Sequence, residues 1–288
     1  MKKSLVIGGS GFLGSHLIQT LLEKKHKVFN YDNRKSKIKH KNVNFINGDI
    51  LNEKMLDQSI KNKDYIFLFA GLSDLDESLI KPIETVKLNV LALCLIAKYC
   101  VKHKVKRLIF ASSIYAGSEE GGFYSCSKRA AEDFILEFSK KYNLKYTILR
   151  YGSLYGSRSD NKNGLYRILL NAIKKNKLEY YGFPHNKRKY IHVKTASLLT
   201  HQSLKKEFEN KFLNLVGKED IKISNLFKLI QKILGKKIKK KFQKKNIIGH
   251  YILKPTKYKV KSGKNIYLKK DKNFYSKLKE YIEYLKSN

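Results

Sequence analysis

Cysteine is scarce in this chain, and the three present, Cys94, Cys100 and Cys126, stand at no metal-like spacing. An odd, scattered set argues against a disulfide framework and a thiolate metal centre, so all three are read as reduced thiols. No run of about 18 apolar residues occurs, and no membrane-inserted helix is expected. Met1-Lys2-Lys3 leads straight into an apolar strand with no signal-peptide stretch between them, so a soluble, cytoplasmic protein is expected. Internal repeats and low-complexity linkers are also missing. Arginine is in short supply, with seven among 61 basic residues and none beyond Arg188. With 24 acidic residues the formal net charge is +37, which invites a nucleic-acid reading. Base readout and bidentate phosphate contacts favour arginine over lysine, however, and that weighs against nucleic acid as a partner. Lysine instead recurs in nearly every helical segment at solvated positions. The densest basic stretch, Lys236–Lys245, is read as a solvated loop or strand edge. A positive field of this kind raises the encounter rate of an anionic nucleotide substrate.

What the chain does have is a glycine turn in a telling place. Gly8, Gly11 and Gly14 follow the apolar run Leu5-Val6-Ile7 and open a helical pattern that includes Phe12 and Leu13. A strand, a turn and a helix in that order suit a dinucleotide. The first glycine permits a tight turn, the second lets the backbone approach a pyrophosphate, and the third lets helix and strand pack closely. The helix start then offers unpaired amides and a partial positive charge to phosphate. Further along, Tyr124-Ser125-Cys126-Ser127-Lys128 places Lys128 one helical turn beyond Tyr124 on the same face. Cys126, inside that segment, reads as a small helix residue.

Strand-like runs alternate with helical periodicity through the first half, which predicts an α/β fold: a Rossmann-like doubly wound parallel sheet with a smaller C-terminal substrate lobe. The strands are expected at 4–7, 27–31, 43–47, 65–69, 107–111 and 146–150. Long helices are expected at 83–103 and 124–142. After Arg150 the alternation breaks, with helices at 165–175, 223–234 and 274–285 and strands at 190–193 and 212–215. Residues 1–155 form the expected dinucleotide-binding domain, with 186–217 returning to it, and 156–288 form mainly the substrate lobe. With 42% hydrophobic residues the chain can fill such cores. The ligand cleft belongs at the carboxyl ends of the strands.

Asp32, near the end of the second strand, accepts hydrogen bonds from a ribose diol and repels a 2′-phosphate, so NAD is expected over NADP. Arg34 and Lys35 follow it and keep NADP open as a lesser alternative. Asp49, in Gly48-Asp49-Ile50, is placed either to meet the adenine amino group or to cap a helix.

The motifs resemble those of the extended short-chain dehydrogenases/reductases, in particular the sugar-nucleotide epimerase branch, over about residues 4 to 217. Gly8 to Gly14 is similar to the family's glycine turn. Asp32-Asn33 and Gly48-Asp49-Ile50 are similar to its ribose and adenine contacts, Phe69-Ala70-Gly71 to the segment passing the cofactor ribose, and Asn89 to its helix asparagine. Phe110-Ala111-Ser112-Ser113 with Tyr124 and Lys128 resembles its catalytic strand and helix. Arg150-Tyr151-Gly152-Ser153 and Arg188-Lys189-Tyr190-Ile191-His192-Val193 resemble two later signatures. The resemblance implies Ser113, Tyr124 and Lys128 as catalytic residues. For the cofactor it implies Gly8, Gly11, Phe12, Leu13, Gly14, Asp32, Asn33, Asp49, Ile50, Ala70, Gly71, Asn89 and Tyr151, with Tyr124 and Lys128. Ser153 and Arg188 are implied on the substrate diphosphate, with Ser153 standing where an asparagine is usual, Lys189 where an aspartate is, and Thr195 where another acid is common.

For Tyr124 to act as a base near neutral pH, its pKa must fall from about 10, a change of roughly 4 kcal/mol. An ammonium at about 5 Å supplies on the order of 3 kcal/mol. Lys128 is therefore expected to acidify Tyr124, with the positively charged nicotinamide ring of bound NAD supplying the rest. The Asp-Glu pair of the dehydratase branch is absent after Ser113, where Ile114-Tyr115-Ala116 stands, and so are the glutamate of decarboxylating relatives and the cysteine of the GDP-fucose synthase type. By subtraction the expected activity is NAD-dependent epimerisation of a nucleotide sugar through a transient keto intermediate, serving polysaccharide synthesis. A nucleotide-sugar reductase or dehydrogenase, and an RNA-binding protein on the same scaffold, stay open as alternatives. Relatives commonly dimerise through the two long helices, and a homodimer is expected.

Overall fold

A computed structural model describes residues 1–243 and 260–287. Six strands carry the first half: β1 (Lys3–Ile7), β2 (Lys27–Asp32), β3 (Val43–Asn47), β4 (Tyr65–Leu68), β5 (Arg107–Ser113) and β6 (Tyr146–Tyr151). They belong to an eight-stranded sheet that starts at one edge with Lys264–Asn265 and Lys211–Leu215 and continues β6, β5, β4, β1, β2, β3. Every pairing in it is parallel. The chain runs outward from β1 to β3 and then resumes at β4 on the other side of β1, so a crevice opens at the strand ends between β1 and β4.

Parallel strands covered on both faces need apolar residues without alternation, and Leu5, Val6 and Ile7 are all fully buried. One face of the sheet packs Leu5, Ile7, Ile96, Ala131 and Ile135 into a single core. The other packs Val6, Leu17, Ile18, Ala196 and Leu199, beneath the helices Phe12–Glu23 and Val193–Gln202. A third core draws only on residues from Tyr155 to Leu285. There the helices Gly164–Lys175, Ile223–Leu234 and Phe274–Lys286 surround a parallel strand pair, Lys177–Tyr181 with Lys239–Gln243. The basic stretch from Lys236 is thus partly a strand edge, as expected, and its last two lysines lie outside the described residues.

One long helix differs from expectation. Instead of running unbroken from 83 to 103, the segment is a short helix Pro82–Val86, a π-helical turn Lys87–Leu91 and a helix Ala92–Lys102. The wider turn coincides with an inward side-chain demand: the buried Asn89 amide donates to the Leu72 carbonyl at 2.9 Å and to Ser127 Oγ at 2.9 Å, and accepts from Leu72 N at 2.8 Å. A further helix, Leu75–Ile80, capped by Asp74, precedes it unannounced by the sequence pattern.

The helix Gly122–Tyr142 is fastened to the sheet by a buried ion pair. Glu132 accepts from Arg150 Nε at 2.8 Å and also from Nη2, making the contact bidentate, and from Ser112 Oγ at 2.6 Å. Arg150 Nη1 donates to the Lys261 carbonyl at 2.8 Å. Removing the carboxylate leaves a guanidinium stranded away from water, so Glu132→Ala is expected to cost about 3–5 kcal/mol in urea unfolding. A paired apolar replacement of Glu132 and Arg150 is expected to cost less, because it leaves no lone charge.

Two buried histidines contribute to the acid limit. Burial lowers His16 from 6.5 to about 4 against a hydrogen bond from the ring to the Ser157 carbonyl, and burial followed by His201 and Lys2 does the same to His26. The unfolded chain therefore takes up protons near pH 6.5 and the folded chain only near pH 4. Stability falls as the pH drops through that window, on the order of 2 kcal/mol per histidine. Urea midpoints at pH 7 and pH 4.5 are expected to separate, and the double variant His16→Gln/His26→Gln to narrow the gap.

Candidate functional site

Close packing around the glycine turn gives Gly8, Gly9 and Gly14 their reason. Gly8 adopts φ +90°, and a Cβ there would stand 2.4 Å from Ala70 N. A Cβ on Gly14 would stand 2.2 Å from the Gly8 carbonyl oxygen, so the first turn of the helix presses directly on the end of β1. Gly9, which the spacing did not single out, is equally constrained, because a Cβ would meet Asn30 Oδ1 at 2.3 Å. Gly11 has more room: the nearest atoms to its Cβ position are the Gly8 carbonyl at 3.2 Å and Arg34 Nη2 at 3.6 Å. It is also the N-cap of the helix Phe12–Glu23, and no side chain caps that helix. First-turn amides at Phe12 and Leu13 thus belong to a helix start built without its own acceptor, which fits a pyrophosphate.

Asp32 ends β2 beside this turn. One carboxylate oxygen accepts from Ser10 N and the other from Arg34 N, each at 2.9 Å. The carboxylate braces the turn and keeps further lone pairs for a ribose hydroxyl. Asn33 follows, exposed. Beyond β4, Ala70 N donates to the Ile7 carbonyl at 2.9 Å, and Gly71 at φ +142° passes over Asn89, whose Oδ1 would stand 2.5 Å from a Cβ on Gly71. Asn89 fixes this crossing segment and, through Ser127, joins it to the helix that carries Tyr124.

Gly121 and Gly122, both at positive φ, start that helix, and Ser125 Oγ anchors it to the Tyr115 carbonyl at 2.6 Å. Tyr124 and Lys128 are buried on its sheet-facing side, against the end of β5. Lys128 Nζ donates to the Ala111 carbonyl at 3.0 Å and lies 5.9 Å from the centre of the Tyr124 ring. Ser113 lies within hydrogen-bonding reach of Tyr124. The expected acidification of Tyr124 is not found in the protein alone. Burial pushes the phenol up to about 12, against the pull of Ser113, and pushes the Lys128 ammonium down to about 8, against the attraction of Glu132. The cause is desolvation, which disfavours the charged form of each partner and outweighs the mutual attraction the spacing predicts.

Other predicted residues are placed as follows. Ile50 is buried in the core beneath Asp49. Asp49 does not cap the next helix. Its Oδ1 accepts from Leu51 N, its side chain is exposed, and Asn52 caps the helix Glu53–Ile60. The Tyr151 phenol is turned into the core, 2.6 Å from Thr200 Oγ1, so it offers no side-chain contact at the strand edge. Ser153 and Arg188 stand on adjoining segments: the strand Ser153–Tyr155 pairs with Tyr190–His192, and Ser153 N donates to the carbonyl of Lys189, the residue after Arg188, at 3.0 Å. Arg188 Nη1 donates to the Tyr115 hydroxyl at 2.8 Å. Tyr115 was not singled out from the sequence, although its place two residues after Ser113 was the available signal. A cavity of about 170 Å³, partly open to solvent, is lined by Tyr155, His192, Thr195, Asp271 and Lys277 among others, with Lys277 already paired to Asp271 and Thr195. Among the described residues no cluster of metal-ligating side chains occurs, and no helix is long and apolar enough to cross a membrane.

Comparison with known proteins gives the family and the fold. A UDP-glucose 4-epimerase of Yersinia enterocolitica is 33% identical over 234 residues, 66% of this chain and 69% of the relative. The crystal structure of Thermotoga maritima UDP-glucose 4-epimerase with UDP-glucose superposes with a TM-score of 0.83 at 24% identity, covering 99% of each chain. UDP-glucuronic acid 4-epimerase of Bacillus cereus, crystallised with UDP-glucuronic acid and NAD, gives the same TM-score at 21% identity over 99% of each chain. These two show the shared fold. Residues 4–214 match the NAD dependent epimerase/dehydratase family from the first strand through the sheet's returning strand, and the chain belongs to that family.

Proposed function

We propose that this protein is an NAD-dependent epimerase of a nucleotide sugar, with a UDP-hexose such as UDP-glucose as the first candidate. The observation that carries the reading is the meeting of Tyr124, Lys128 and Ser113 at the strand ends next to a glycine turn with an uncapped helix start. The relatives and neighbours named above act on or bind UDP-sugars, which supports the substrate class. Ile114 and Tyr115 directly after Ser113 favour epimerisation over dehydration, since no carboxylate stands there to protonate a leaving hydroxyl.

Gly8 to Gly14, Asp32, Asn33, Ala70, Gly71 and Lys128 would hold the dinucleotide. When bound, NAD supplies a hydride acceptor and a positively charged ring near the phenol. Tyr124 would take the proton of a sugar hydroxyl as the hydride leaves the carbon that bears it, Ser113 would hydrogen-bond that oxygen, and after the keto-sugar turns over the hydride would return to the opposite face of that carbon while Tyr124 returns the proton to the oxygen. Lys128 as an ammonium would draw the Tyr124 phenol down, and the positive charge that the cofactor supplies would add to that pull. Arg188, with Ser153 beside it, takes the diphosphate. Residues 1–155 with 186–217 serve the cofactor, and the remainder of 156–288 serves the sugar nucleotide. The protein works in the cytoplasm, in polysaccharide synthesis.

Ile83, Val86, Leu91, Phe123 and Phe134 expose apolar surface on the segment 82–91 and on the helix Gly122–Tyr142, which pack against each other. This supports a homodimer through these helices. Light scattering is expected to give twice the 33.5 kDa chain mass at micromolar concentration, and Ile83→Asp/Phe134→Lys to give the single chain. Incubation with NAD and UDP-, GDP- and dTDP-sugars, followed by NMR, is expected to yield an epimer from a UDP-sugar. A keto-sugar or a 4,6-dehydrated product would replace the proposed reaction with another. Tyr124→Phe is expected to lower turnover by at least about 10²-fold while NAD affinity stays close to that of the native protein.

A further inference from the structure

The carboxylate at the end of β2 is expected to exclude a 2′-phosphate, yet here it is heavily screened. Both Asp32 oxygens already accept backbone N–H bonds, from Ser10 and Arg34, and the side chain is only 5% exposed. Over it lies Arg34, 68% exposed, with Nε 3.7 Å from Asp32 Oδ1 and Nη2 3.6 Å from the Cβ position of Gly11. The guanidinium therefore bridges the two features that define the adenosine end of a dinucleotide site, the ribose carboxylate and the uncapped helix start. Its backbone is held in place as well, because Ser10 Oγ donates to the Arg34 carbonyl at 2.9 Å and Arg34 N is bound to Asp32. Lys35 and Lys37 follow, and Lys37 stands near enough to the same helix for its charge to act on His16.

We propose that Arg34 makes this site accept a dinucleotide phosphorylated on the adenosine 2′-hydroxyl alongside the unphosphorylated one. An incoming phosphate meets an exposed guanidinium before it meets the buried carboxylate. Arginine binds phosphate through two parallel N–H donors, whereas the ribose diol of the unphosphorylated cofactor needs only Asp32. Because Asp32 braces the glycine turn through backbone bonds, the turn keeps its shape with either cofactor. Arg34 thus acts as a specificity-determining residue while leaving the phosphate-binding turn untouched.

This inference rests on the dinucleotide reading of the site, and binding alone tests it. NADH and NADPH are titrated by nicotinamide fluorescence against the full chain and against Arg34→Ala. In the native protein the two affinities are expected to lie within about tenfold of each other. Arg34→Ala is expected to weaken NADPH by at least about tenfold while NADH changes by less than about threefold. A native preference for NADH beyond about tenfold, or an equal loss of both cofactors in Arg34→Ala, overturns the proposal and leaves the NAD reading standing. Native protein that binds neither cofactor refutes the NAD reading itself, and this inference with it.

Discussion

A carboxylate with almost no access to water, Glu132, joins four parts of the molecule. It sits on the same helix as Tyr124 and Lys128, accepts the hydroxyl of Ser112 next to Ser113 on β5, and takes the Arg150 guanidinium from β6, which in turn holds the Lys261 carbonyl of the C-terminal segment. A buried pair of this kind is costly to desolvate and contributes less to stability than to geometry. Its directional bonds admit one rotation of the helix against the sheet. That rotation places Lys128 Nζ at the Ala111 carbonyl and Tyr124 against the end of β5. Tyr124, Lys128 and Ser113 are therefore neighbours because of a contact one and two helical turns away from them.

The same burial that fixes the geometry works against the chemistry in the protein alone. A phenol and an ammonium shut away from solvent both prefer their neutral forms, which is why Tyr124 rises and Lys128 falls. The constellation resembles a set of groups held ready for a charge to arrive. A positive charge brought beside Tyr124 would favour the phenolate, and Glu132 favours the charged form of Lys128. Arg188 and Tyr115 are already joined by a hydrogen bond.

Much of the fold was legible because parallel strands and amphipathic helices write different periods into the chain. Leu5-Val6-Ile7 reads as a doubly covered strand, and β3 and the helix Ile223–Leu234 begin and end where the pattern places them. Short strands such as Lys187–Arg188 and Lys264–Asn265 escaped, since two residues carry no period. The π-helical turn at Asn89 escaped for another reason: its cause is a set of hydrogen bonds to Leu72 and Ser127, both distant in sequence. Within the site, the glycine roles at Gly8 and Gly14 could be assigned from spacing. The direction of the Tyr151 side chain could not be read, because the side to which a strand residue points depends on which faces are covered, and its phenol finds Thr200.

By itself the sequence determined the family, the order of the principal strands and the identity of the residues at the strand ends, because glycine turns, strand periods and the Tyr-x-x-x-Lys spacing are local properties of the chain. Tertiary structure alone decided the direction in which Tyr124 and Lys128 shift, the screening of Asp32 by Arg34, and the meeting of Arg188 with Tyr115. Each of these is a balance of desolvation and short-range contact between segments that only folding brings together.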